Sequence, residues 1–118
     1  MKKTPLLAAT IFLFTFFSSA TAFAHPPKNL EAVWNASAQT LTVKASHLVN
    51  DTTKHYVLSM VVMNSKGEQI AFKQYTKQAS DKSFSDSVTL LNAKPGDTVK
   101  IRLVCNIMGT AEETITLK

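Results

Sequence analysis

Apolar and polar residues alternate with a period of two along most of the chain. Residues 39–46 put Leu41, Val43 and Ala45 on one side and Thr40, Thr42 and Lys44 on the other. Residues 97–106 repeat the pattern, with Val99, Ile101, Leu103 and Cys105 inward and Lys100 and Arg102 outward. Alternation of this kind predicts strands with one face on a core. Residues 55–64 are the most apolar segment after the start and predict a central strand covered on both faces. Asn64-Ser65-Lys66-Gly67 is a turn, so residues 69–76 are expected to return as its hairpin partner. Residues 29–34, 83–90 and 113–118 complete the set, the last with Ile115 and Leu117 inward, and Lys94-Pro95-Gly96-Asp97 is a turn signal. About seven strands at spacings of roughly ten residues, with no helical period, predict an all-β, immunoglobulin-like antiparallel β-sandwich. Residues 78–82 read as a polar loop, and Trp34, Phe72 and Phe84 as core.

The first 24 residues break this pattern. Lys2 and Lys3 precede an uncharged apolar run over residues 6–17, and small residues follow at 18–24. These are the three parts of a secretory signal peptide. Cleavage fits after Ala22 or after Ala24; the second site leaves His25-Pro26-Pro27 as a rigid start and is preferred. The apolar run is short of the roughly 20 residues a spanning helix needs, and no Cys near the cut offers a lipid anchor. The expectation is an exported protein, periplasmic or secreted, with residues 25–118 as one β-sandwich domain and no stable membrane anchor.

Removing 24 of the 118 residues leaves 94, enough for a single core. The two leader lysines account for part of the net charge of +5, and the remainder is scattered, which argues against nucleic acid. Cys105 is the only cysteine, so no disulfide can staple this chain. A lone thiol in an oxidising space is either buried and inert or a metal thiolate.

Three histidines follow the leader: His25, His47 and His55. His47 ends one strand and His55 begins the next, so both are expected at one end of the sandwich, where the strand carrying Cys105 also runs out. Imidazole with thiolate suits iron, copper or zinc, and no carboxylate-rich site for calcium or magnesium is present. Asp51, in the loop between the histidines, reads either as an orienting partner for His55 or as a turn former. No Gly-x-Ser-x-Gly elbow or phosphate-cradling loop occurs.

His55-Tyr56-Val57, the hairpin after it, the turn at residues 94–97 and Cys105-Asn106-Ile107-Met108-Gly109 occur in an order that resembles the desulfoferrodoxin, or superoxide reductase, family. The likeness covers residues 47–109, and Ala24-His25-Pro26-Pro27 looks like the start of small exported relatives. The resemblance implies an immunoglobulin-like sandwich and a mononuclear iron held by four His and one Cys. It also implies transfer of one electron to superoxide, giving hydrogen peroxide, with a separate electron donor as partner. His47, His55 and Cys105 match ligand positions of that pattern, and Met108 stands where the family has its last His. Further departures are Leu48 after His47, a longer loop to His55 and no upstream Glu-Lys-His segment. His25 is the one imidazole left over, and nothing in the sequence places it.

Two other readings stay open. In a copper-binding protein, a free His25 amine and imidazole would chelate Cu(II) with His47 or His55, while Cys105 and Met108 would donate to Cu(I). Pro26 has no amide hydrogen, so the competing copper–amide mode is blocked there. The last reading is a structural or interaction module that shares only the fold.

Overall fold

A computed structural model describes residues 25–118; the expected signal peptide lies outside the described residues. Seven strands form: β1 (Lys28–Asn35), β2 (Thr40–Ser46), β3 (Val57–Met63), β4 (Gln69–Gln74), β5 (Ser83–Thr89), β6 (Thr98–Cys105) and β7 (Thr110–Thr116). They build two antiparallel sheets, one ordered β1-β2-β5 and the other β4-β3-β6-β7. The expected all-β sandwich of immunoglobulin type is therefore what the chain adopts.

The alternation read from sequence decides what each strand buries. Leu41, Val43 and Ala45 of β2 face Val57, Met60 and Val62 of β3 and Val99, Ile101 and Leu103 of β6 across one core. β1 and β7 approach each other along one edge of the sandwich. On the other edge, Lys73 and Tyr75 both reach Asp86 of β5, at 3.1 and 2.6 Å. Burial raises the Tyr75 hydroxyl far above its ordinary pKa, and the bond to Asp86 adds to that. Burial also pulls the Asp86 carboxyl upward, but the Tyr75 hydroxyl, the Ser87 amide and the Lys73 ammonium outweigh it and leave Asp86 below its ordinary value. A depressed acid stabilises the fold above its unfolded pKa and loses that contribution as pH falls. Tyr75→Phe is accordingly expected to cost about 1–2 kcal/mol at neutral pH, as for a hydrogen bond to a charged group. The cost should shrink in acid as Asp86 protonates, which urea unfolding at several pH values would read.

Three sequence expectations about the strands need correction. Phe72 is not core but 49% exposed. It pairs with Val61 on the outer face of the sheet, and its neighbour Ala71 takes the inward position. For the same reason β3 is fully covered on one face only, with Leu58, Val61 and Met63 half-buried. The last strand starts at Thr110, earlier than expected, because Gly109 turns the chain at φ +85° and pairing with β6 begins at once. Residues 78–82 lie in the expected loop between β4 and β5, and within it Gln78 is turned inward, being 4% exposed.

Candidate metal centre

The inward series of β2 does not stop with the strand. Leu41, Val43, Ala45, His47 and Val49 are buried in strict alternation. Backbone bonds from His47 N to Lys82 O (2.9 Å) and from Val49 N to Asp81 O (2.8 Å) keep this segment extended. Cys105 ends the equivalent inward series of β6. Val57 pairs with Cys105, and His55 lies two residues earlier, in the bend that leads into β3 rather than at the strand start expected for it. Asn106 clamps this junction. Its side chain accepts from Tyr56 N (2.9 Å) and donates to Lys54 O (3.0 Å), and its amide donates to Tyr56 O (3.0 Å). One ligand atom each from His47, His55 and Cys105 thus lies within 4.8 Å of the other two.

Hydrogen bonds select which atoms are free. Gln78 donates through Nε2 to His47 O (2.9 Å) and Ser80 O (2.8 Å), which fixes its amide orientation. Its Oε1 accepts from Val57 N (3.2 Å) and faces His47 Nδ1 at 2.8 Å. His47 therefore carries its proton on Nδ1 and keeps its lone pair on Nε2, the arrangement a metal-binding imidazole needs. That Nε2 lies 3.2 Å from the carbonyl oxygen of His25. Two lone pairs meet there, a contact that a cation or a proton relieves. The other unusual atom is His55 Nε2, buried without a hydrogen-bond partner. Burial, then the nearby His47 and His25 rings, lowers the His55 pKa and favours the neutral ring. A neutral imidazole with an unpartnered buried nitrogen, next to a thiol, is a donor set that fits a transition metal.

His25 stands beside this group. Its ring centroid is 5.5 Å from that of His47 and 5.6 Å from that of His55, and its Nε2 donates to Leu48 O at 3.0 Å. Met108 is 58% exposed. Asp51 acts as a turn former: its carboxylate accepts from Thr53 N (2.9 Å) and Thr53 Oγ1 (2.6 Å), and its carbonyl from His55 N (2.9 Å). Gln78 had no sequence signal, since a glutamine between Lys77 and Ala79 looks like any loop residue.

Gly109 closes the site from the side of the N-terminal segment. A Cβ at this position would come within 2.9 Å of the Pro26 ring. Gly67 has a similar φ of +82° but nothing within 4 Å. Both alanine variants carry a left-handed backbone cost of about 1 kcal/mol. Gly109→Ala is expected to cost clearly more than Gly67→Ala in thermal unfolding, the difference reading the Pro26 contact. Equal costs would mean that Pro26 does not rest on Gly109.

Fold and site together define an immunoglobulin-like β-sandwich with a His, His, Cys cluster at one end. Among solved structures, the chain is similar to the superoxide reductase (1Fe-SOR) from Giardia intestinalis, with a TM-score of 0.50 and 18% identity over 80% of this chain and 98% of that one. Neither a protein-family model nor a curated protein matches the chain.

Proposed function

We propose that this is an exported metal protein of superoxide-reductase type, with one iron held by His47, His55 and Cys105. The observation that carries the reading is the convergence of these three donors within 4.8 Å, one of them offering a buried nitrogen with no other partner. The likeness in fold to the Giardia intestinalis superoxide reductase (1Fe-SOR) favours iron over copper or zinc. The leader of two lysines, apolar run and small residues supports export.

The roles of the chain's own groups follow. His47 presents Nε2 because Gln78 holds its other nitrogen. His55 presents a neutral ring, and Cys105 must lose its proton to ligate. Ferrous iron held by His47, His55 and Cys105 would supply the one electron that, with two protons, converts superoxide to hydrogen peroxide. An electron donor is then required for turnover.

The test is elemental analysis of the naturally processed protein, expressed with iron and copper both available, beside a Cys105→Ser control. Near-stoichiometric iron that disappears in the control is the expected result. Peroxide formation from superoxide without oxygen release would then establish reduction in place of dismutation. Copper would replace the iron reading with a copper-binding one, and absence of metal in the natural protein would overturn both.

A further inference from the structure

We propose that the mature amino terminus itself is a ligand: the α-amine of His25, freed by cleavage after Ala24, enters the metal centre together with Nδ1 of the same residue. The inference rests on the proposed metal centre and adds a donor that only processing creates.

Three observations converge on it. The main chain of His25 reaches the site, with its carbonyl oxygen 3.2 Å from His47 Nε2, the nitrogen that Gln78 leaves with a lone pair. The ring of His25 lies edge-on to both other imidazoles, at 5.5 and 5.6 Å. Both ring nitrogens face carbonyl oxygens, Nε2 at Leu48 O (3.0 Å) and Nδ1 at Pro26 O (3.2 Å); in the neutral ring the proton goes to the shorter contact, which leaves the lone pair on Nδ1. Nδ1 is the nitrogen that closes a six-membered chelate ring with the amine of the same residue. Nδ1 then meets Pro26 O lone pair to lone pair at 3.2 Å, the same kind of contact as His47 Nε2 makes with His25 O, and a bound cation would relieve it.

The segment is also held in place. Pro27 is buried, and the Pro26 ring sits where Gly109 has no Cβ. Two consecutive prolines restrict the backbone, so little ordering remains to be done on binding. Pro26 offers no amide hydrogen to be displaced, which prevents the metal from being drawn along the main chain.

Processing matters because of the nitrogen's chemistry. In the precursor, the His25 nitrogen belongs to a peptide bond and its lone pair is delocalised into the Ala24 carbonyl. Hydrolysis of that bond consumes one water, leaving a carboxylate on Ala24 and a primary amine on His25. The amine loses a proton to bind and then acts as a donor. The complete centre would therefore form only after export, and the precursor would hold metal more weakly.

The experiment compares three processed proteins whose first residues are verified by mass spectrometry. One begins at His25. One is cleaved after Ala22 and begins Phe23-Ala24-His25. One carries His25→Ala. Cobalt(II) serves as the probe, with affinity read by competition with a chelating dye and the thiolate bond by its absorption. The form beginning at Phe23 is expected to bind cobalt about 10- to 100-fold more weakly, at least the scale of losing an outer-sphere partner. Its Cys105–cobalt absorption should persist, and its metal-free melting should match that of the form beginning at His25. His25→Ala should lose at least as much affinity. Equal affinity of the forms beginning at His25 and Phe23 would overturn the inference and leave the three-residue centre standing. Failure of the His25 form to bind cobalt at all would remove both.

Discussion

Gln78→Leu is expected to destabilise the metal-free protein by about 3–5 kcal/mol, a sum over several buried polar groups left unpaired at roughly 1–3 kcal/mol each. Gln78 makes four hydrogen bonds, to His47 Nδ1, His47 O, Val57 N and Ser80 O. Leucine fills similar space but satisfies none of them. The loss is a large part of the stability of a small domain, which is typically about 5–15 kcal/mol. Thermal unfolding with Lys77→Ala as control reads it, since Lys77 is exposed next door and its replacement should stay within about 0.5 kcal/mol. Molecules of Gln78→Leu that still fold should bind metal less tightly, because His47 is free to place its proton on either nitrogen. A variant as stable as the wild type would show that the bonds around Gln78 carry no net energy.

His55→Phe is expected to separate stability from function. The His55 Nε2 is buried without a partner, and such a group typically costs about 1–3 kcal/mol. Phenylalanine keeps the ring and removes the unpaired nitrogen, so the metal-free variant should be at least as stable as the wild type. Metal should then stabilise only the wild type, by about 4 kcal/mol at a thousandfold excess over Kd. Denaturant curves with and without metal decide this, and an equal metal-induced shift in both proteins would take His55 out of the centre. The acid limb offers a further check. The His55 pKa is lowered in the folded protein, from an ordinary 6.5. Below that value the unfolded chain takes up a proton that the folded chain resists, so stability falls as pH drops through it. His55→Phe should remove that part of the acid slope.

The particular residues show how far the pattern along the chain reaches. Alternation placed Leu41, Val43 and Ala45 on one inner face and Val99 to Cys105 on another, because a strand turns successive side chains to opposite sides. That periodicity is local and survives without knowledge of neighbours. Phe72 shows where it stops. An aromatic in an edge strand has two faces to choose from, and only the pairing of Val61 with Phe72 turns it outward.

The sequence by itself determined the sandwich class, the parities of β2 and β6 and the candidate donors His47, His55 and Cys105. It did so because hydrophobic alternation and the chemistry of imidazole and thiolate are properties of single residues and their near neighbours. Only the tertiary structure decided that these donors converge, that His25 packs beside them, that Met108 is exposed and that Gln78 holds His47. Those relations cross from one sheet to the other or span tens of residues, as between His47 and Gln78 or Tyr56 and Asn106. No period along the chain encodes which buried polar atom will find which partner, since that depends on how the two sheets close over the core.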